Sequence, residues 1–355
     1  MDRIDIDLIS KIDYFIKRRL LLNMRILVTG GLGFIGSHTV IELIKKKQDI
    51  IIIDNLINSK IEVLDKIHYL TGVKPMFYQF DVTEEIKLEE IFRNHSIDGV
   101  IHFAGLKAVG ESVAKPLEYY HNNVLSTILL SKMCLKYNIR KFVFSSSATV
   151  YGDQESPLRE DMKLKEPTNP YGDTKAICER ILSNTARVNK DFVITILRYF
   201  NPIGAHESGL IGENPNDIPN NLMPYITKVA KGELDKLSVY GDNYDTIDGT
   251  GVRDYIHVVD LAKGHVKALE KLDSGINIYN LGTSKGTSVL QLINTFKKVN
   301  GVDVPYEIVN RRPGDLAICF ADVQKAEREL GWKAELGIEE MVRDAWKFEL
   351  NNKKN

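Results

Sequence analysis

The chain has 355 residues, 43% hydrophobic and 27% charged, enough for one large or two medium domains with a substantial core. A formal net charge of -1 offers no global field for DNA, RNA or an anionic membrane, so neither nucleic acid nor membrane is an expected partner. Cys134, Cys178 and Cys319 are scattered and odd in number. They match neither a disulfide framework nor a metal site, which suits a reducing cytosol and a cytoplasmic location.

Residues 1–23 mix Ile, Leu and Phe with Asp, Lys and Arg. Their apolar runs are too short to span a bilayer and lack the apolar core of a signal peptide. They read as a dispensable leader or, alternatively, as a short amphipathic helix that docks on the body or a partner. From Met24 onward short apolar runs alternate with helical stretches. Residues 25–29, 50–53, 76–80, 99–103, 141–145 and 193–198 read as strands. Residues 34–47, 60–70, 88–94 and 123–137, and a stretch opened by Tyr171, read as helices. This alternation predicts a Rossmann-like, doubly wound α/β fold with a parallel sheet over residues 24–200.

After Phe200 the texture changes. Residues 201–221 are rich in Pro, Gly and Asn and read as a long shaped loop. Helices at 222–231, 261–272 and 289–299 and strands at 238–240, 254–257 and 276–280 follow. Residues 201–350 are expected to form a smaller mixed α/β substrate domain, some segments of which return to the first domain. Ligands of open α/β sheets bind at the carboxyl ends of strands, so the cleft belongs between the two parts. Residues 351–355 read as a frayed tail.

Gly30, Gly33 and Gly36 lie three apart between the first strand and first helix. Glycines there permit a tight turn and close approach of backbone to a pyrophosphate, which the helix N-terminus attracts. The spacing differs from G-x-G-x-x-G, and the bland alternative is a connection with no ligand. Asp54 ends the second strand, where a carboxylate accepts bonds from an adenosine ribose and repels a 2′-phosphate. The expected cofactor is therefore NAD rather than NADP. Asn55 and Asn58 add ribose or phosphate contacts. Asp81 and Val82 cover the adenine, unless Asp81 is only a helix cap. Phe103, Ala104 and Gly105 let a flat cofactor lie over the sheet. Lys107 reaches its phosphates or ribose, or is merely a solvated loop lysine.

Tyr171 and Lys175 sit four apart at the start of a helix and so share one face. A tyrosine ordinarily ionises only at about pH 10. A neighbouring cation stabilises the phenolate, which makes the pair a candidate general base. The serine run at 145–147, otherwise turn chemistry, adds a hydroxyl that shares the proton. Together Ser147, Tyr171 and Lys175 resemble the Ser-Tyr-Lys triad of the extended short-chain dehydrogenase/reductases.

The strings Phe144-Ser-Ser-Ser-Ala-Thr-Val-Tyr-Gly-Asp153, Arg198-Tyr-Phe-Asn-Pro202 and Asp248-Gly-Thr-Gly-Val-Arg-Asp-Tyr-Ile-His257 narrow the likeness. So do the strings at 102–112 and 218–225. They resemble the UDP-glucose 4-epimerase family from about residue 24 to 348. The resemblance implies a tightly bound NAD+ regenerated at each turnover and a UDP-hexose substrate. It assigns Tyr171 as base and acid, Lys175 to the cofactor ribose and Ser147 to the sugar O4. It extends the cofactor set to Phe34, Ile35, Asn122, Ser145 and Tyr199. The implied substrate set is Lys107, Ser147, Asn201, Asn221, Leu222, Tyr240, Arg253, Arg312, Asp315 and Cys319. Salt bridges, a loop cap and an ordinary sheet position are the bland accounts of the arginines, Asn201 and Tyr240. Cys319 lies where a bulky tyrosine marks relatives restricted to unacetylated sugars, so UDP-GlcNAc and UDP-GalNAc are expected substrates as well. Its bland role is that of a small buried hydrophobe. The family often forms homodimers through helices near 116–135 and 171–188.

Two alternatives stand beside epimerisation. A 4,6-dehydratase needs an added Asp-Glu pair, whose places Ala148 and Thr149 fill. A non-catalytic NAD-binding regulator has no need of Ser147, Tyr171 and Lys175.

Overall fold

The computed structural model describes residues 23–215, 221–271, 275–312 and 315–352. The expected leader, apart from Asn23, the last three residues of the tail and part of the 218–225 string lie outside them. Seven parallel strands form the central sheet: β1 (Arg25–Thr29), β2 (Asp49–Asp54), β3 (Met76–Gln79), β4 (Gly99–His102), β5 (Lys141–Ser147), β6 (Val193–Tyr199) and β10 (Ile276–Leu281). Their spatial order is β10-β6-β5-β4-β1-β2-β3. Side chains of a strand alternate between faces. Here both faces are buried, which explains the uninterrupted apolar runs. Ile26, Val28, Ile50 and Ile52 enter one core, and Leu27, Ile51 and Ile53 the other.

The first core is covered by α1 (Phe34–Lys45), α2 (Glu62–Thr71) and α9 (Val258–Glu270). The second is covered by α3 (Glu85–Asn94), α6 (Leu125–Lys136) and α7 (Pro170–Val188). Two expected helices are trimmed. The first ends at Lys45, two residues before Lys47 takes a left-handed φ of 61°. The stretch before α6 is a wide π-turn, Tyr120–Val124, that follows α4 (Val109–Ala114) and α5 (Pro116–Tyr119).

Residues 276–280, read with the second lobe, instead supply an edge of the central sheet, in register with β6 from Ile276↔Ile194 to Leu281↔Tyr199. Tyr279 and Leu281 are fully buried there. The partner of so short a run is chosen by tertiary packing, which its composition does not reveal.

The second lobe is organised around β9 (Val252–His257), flanked by β7 (Asn201–Ile203), β11 (Gly286–Ser288) and β13 (Ile318–Cys319). β8 (Leu237–Tyr240) pairs with β12 (Tyr306–Val309). A third core joins α8 (Leu222–Ala230), α10 (Val289–Asn300) and α12 (Ile338–Asn351). β7 begins two residues after β6 ends, so the chain passes directly from the central sheet into the second lobe. The central strand order reverses between β1 and β4, and a crevice opens at their carboxyl ends.

Candidate active site

The turn after β1 is built from glycine for steric reasons. Gly30 has φ +68°, and a Cβ there would meet the Ala104 amide nitrogen at 2.8 Å. A Cβ on Gly36 would come within 2.2 Å of the Gly30 carbonyl oxygen. α1 therefore packs tightly on the turn and aims its free N–H groups into the crevice. Asp54 closes β2 and locks the turn: its Oδ2 accepts from Leu32 N at 3.0 Å, and its Oδ1 from Leu56 N at 3.0 Å and Ser59 Oγ at 2.8 Å. A carboxylate has about four lone-pair sites, so capacity remains on Oδ2 for a ribose hydroxyl.

These residues line a cavity of about 1260 Å³, larger than the roughly 300–1,000 Å³ of a single small-molecule pocket. It takes in Gly30, Gly33, Phe34, Ile35, Gly36, Asp54, Asn55, Asn58, Asp81, Val82, Phe103, Ala104, Gly105, Lys107 and Asn122 from the cofactor set. The glycine cradle, the aligned helix N-terminus and Asp54 fit a dinucleotide. Asp81 does not cap α3; its carboxylate accepts from Thr83 N, Thr83 Oγ1 and Asn55 Nδ2, which ties two loops of the rim together.

Ser147, Tyr171, Lys175 and Tyr199 line the same cavity. Pro170 at the first turn of α7 and the Asn169 cap, whose Oδ1 accepts from Gly172 N at 2.9 Å, fix where that helix starts. Tyr171 therefore projects from the first turn into the cavity that Ser147 also lines, and the Ser147 hydroxyl favours its ionised form. Thr149 donates to Ser147 Oγ twice, from Oγ1 at 3.0 Å and from its amide at 3.3 Å. Both Ser147 lone pairs are thus engaged, and its O–H is left to donate to the tyrosine oxygen.

Lys175 Nζ donates to the Ser145 carbonyl at 2.8 Å and lies 5.9 Å from the Tyr171 ring centre and 4.9 Å from that of Phe144. Burial lowers its pKa to about 8, against the pull of Cys178 and Glu179. Burial, and then Tyr199, push the Tyr171 phenol well above its ordinary value, while the Ser147 bond pulls it down. The Lys175 ammonium is anchored on the Ser145 carbonyl, and the Ser147 hydroxyl is the group that lowers the Tyr171 pKa.

Ser145 does not line the cavity. It is buried behind Lys175, and its Oγ lies 3.0 Å from Tyr199 Oη and 3.4 Å from His265 Nε2. The strand pleat explains this, since Ser145 and Ser147 share a face but only the latter reaches the strand end.

Asn201 and Asn221 line the cavity, whereas Leu222, Tyr240, Arg253, Arg312, Asp315 and Cys319 do not. The last five gather in the second lobe instead. Arg253 on β9 stands in register with Cys319 on β13 and ion-pairs with Asp315. The Arg312 guanidinium lies over the Tyr240 ring at 3.8 Å. Cys319 packs against the cluster that contains Val150, Tyr151 and Phe200, and burial raises its thiol pKa to about 11.

Several residues in the site carried no sequence signal of their own. Phe200 lines the cavity, but reads simply as a strand-end apolar residue. Glu213, nearly buried, holds Lys107 Nζ at 3.1 Å and Asn221 Nδ2 at 2.6 Å across the cleft. Asn123 grips the Leu106 backbone at both N–H and C=O and donates to Thr174 on α7. Among the described residues no group of three or more His, Cys, Asp or Glu is placed to hold a metal.

Comparison with known proteins agrees with this geometry. A profile of the NAD dependent epimerase/dehydratase family matches residues 26–282. The UDP-glucose 4-epimerase of Pasteurella multocida (strain Pm70) is 54% identical over 334 residues, covering 93% of this chain and 99% of that protein. The UDP-glucose 4-epimerase of Bacillus subtilis (strain 168) is 55% identical over 332 residues, covering 93% and 98%. The crystal structure of UDP-glucose 4-epimerase from Bifidobacterium longum, in complex with NAD+ and UDP, superimposes with a TM-score of 0.90 at 53% identity, covering 93% of this chain and 99% of that one. With its glycine cradle, Asp54 and buried tyrosine-serine pair in one cavity, the chain belongs to the NAD dependent epimerase/dehydratase family, and within it to the UDP-glucose 4-epimerases.

Proposed function

We propose that this chain interconverts UDP-glucose and UDP-galactose by NAD-dependent epimerisation at C4, through a transient 4-keto sugar, with Tyr171 moving the O4 proton. The observation that carries this reading is the Ser147–Tyr171 hydroxyl pair, which lines one cavity with the glycine cradle and Asp54. Bound NAD+ supplies the redox chemistry at C4, with no net oxidation over a turnover. Tyr171 takes the proton from O4 and later returns it. Ser147, its lone pairs occupied by Thr149, donates to the tyrosine oxygen and stabilises the phenolate. Lys175, anchored on Ser145, holds the cofactor ribose, and Asp54 the adenosine ribose.

Arg253, Arg312 and Asp315 anchor the diphosphate and uridine, with Tyr240 against uracil and Asn201, Asn221 and Leu222 along the sugar path. These groups contact one another: Arg253 pairs with Asp315, and Arg312 stacks on Tyr240. Guanidinium groups suit bidentate phosphate binding. Cys319, a small residue packed near the Ala148 turn and Phe200, is proposed as the position that admits an N-acetyl group at C2, extending turnover to UDP-GlcNAc and UDP-GalNAc. Exposed Leu117, Val113 and Val188, on or flanking helices α4, α5 and α7, support a homodimer. Among the described residues no helix is long and apolar enough to cross a membrane, and the proposed location is the cytoplasm. Residues 24–200 are proposed as the cofactor domain and residues 201–350 as the substrate domain, apart from α9 and β10, which return to the first, with the leader as dispensable.

The test is product analysis with UDP-glucose and UDP-GlcNAc in parallel. Appearance of UDP-galactose without added cofactor turnover supports epimerisation; a 4-keto-6-deoxy product would establish dehydration instead.

A further inference from the structure

The three serines of β5 each contact a different turn of α7. Ser147 lines the cavity with Tyr171 and favours its ionised form, and the Ser145 carbonyl accepts from Lys175 Nζ at 2.8 Å. Ser146 Oγ donates to Glu179 Oε1 at 2.6 Å. Tyr171, Lys175 and Glu179 are spaced four apart, on one stripe of the helix. Glu179 has no contact with the cavity. It receives Arg198 of β6 through both arms of the guanidinium, Nε at 3.0 Å and NH2 at 2.6 Å. Arg198 and Glu179 are 3% and 5% exposed, and Arg198 stacks 4.8 Å from the Tyr151 ring centre. Tyr151 ends the short turn, Ala148–Tyr151, that begins next to Ser147.

We propose that Glu179 is a positioning residue for catalysis: through Ser146 and Arg198 it sets the register of α7 against β5 and β6, and so holds Tyr171 and Lys175 opposite Ser147 and Ser145. A buried ion pair is weak evidence for stability, because apolar residues of similar volume usually serve as well. What it supplies is direction. The planar fork of Arg198 accepts one carboxylate geometry, so a slide of α7 by a fraction of a turn breaks both bonds. Misplacement of a reacting group by about 1 Å costs about a hundredfold in rate.

This rests on reading Tyr171 as the proton-transfer group, which Tyr171→Phe tests separately. The present proposal is tested by Ser146→Ala, Glu179→Gln and the double replacement Glu179→Met with Arg198→Met, each assayed for kcat, KM for UDP-glucose and thermal unfolding. The apolar pair is expected to stay folded with kcat down about ten- to a hundredfold and KM changed less than about threefold. Ser146→Ala is expected to lower kcat severalfold in the same pattern. A folded double variant with unchanged kcat, or a loss confined to KM, overturns the proposal. Should the Glu179 variants fail to fold, Ser146→Ala decides alone: unchanged kcat overturns it, and a fall at constant KM sustains it.

Discussion

Lys175 Nζ lies 2.8 Å from the carbonyl oxygen of Ser145 and 5.9 Å from the centre of the Tyr171 ring. An ammonium held this way is expensive to keep charged, and its pKa falls to about 8 from the ordinary 10.5. The sign follows from linkage. At pH below about 8 both folded and unfolded chains carry the charge, and the cost of burial is present in full. Between about 8 and 10.5 the folded chain binds fewer protons, so this residue's contribution to stability improves as pH rises.

Lys175→Met should therefore stabilise the cofactor-free protein at pH 7, by about 2 kcal/mol once the lost Ser145 bond is deducted. The gain should shrink toward pH 10 while turnover is abolished. Urea unfolding of both proteins at pH 7 and pH 10 measures it. An equal gain at the two pH values would show that the lysine is not desolvated as the structure has it.

Thr149 acts through Ser147. Thr149→Val keeps the shape of the side chain but removes the 3.0 Å bond to Ser147 Oγ, freeing the serine to turn away from Tyr171. We expect kcat to fall about three- to tenfold with little change in KM, since one hydrogen bond of about 1 kcal/mol is involved. Steady-state kinetics checks this, with Thr149→Ser as the variant that restores activity.

At Gly36 a methyl group has nowhere to go, with the Gly30 carbonyl 2.2 Å from where its carbon would sit. Gly36→Ala should push α1 off the turn, cost about 3 kcal/mol of stability and empty the purified protein of cofactor. Cofactor content by absorbance after denaturation and a thermal melt report both effects.

Cys319 is the proposed gate for acetylated sugars. Cys319→Tyr should lower turnover of UDP-GlcNAc relative to UDP-glucose about ten- to a hundredfold, with UDP-glucose still converted at a rate within about tenfold of the parent, because a filled pocket discriminates by about 1–3 kcal/mol. Parallel assays on the two substrates check it, and undetectable UDP-GlcNAc turnover by the parent protein would remove the basis for the gate.

The sheet and the cofactor turn were readable in the chain because their signals are local. Glycine spacing, the acid at the end of β2 and the Tyr171–Lys175 interval each depend on neighbours a few residues away. The apolar runs of β1 and β2 announced strands buried on both faces. The structure added what depends on distant partners: β10 joining β6, Ser145 turned behind Lys175, Glu213 spanning the cleft, and Arg253 paired with Asp315. A carboxylate such as Glu213 looks in sequence like any loop acid. Only the fold brings Lys107 and Asn221 to it. The spacing of Tyr171 and Lys175 placed both on one helix face, but not the Ser145 carbonyl on which the lysine is anchored.

The most direct measurement is the turnover of Tyr171→Phe on UDP-glucose, alongside its binding of NAD+ and UDP. Removing one oxygen from a phenol that lines the cavity beside Ser147 leaves the cavity intact. The account predicts a fall in kcat of at least about a hundredfold, with UDP bound within about threefold of the parent affinity. Turnover at the parent rate would contradict it.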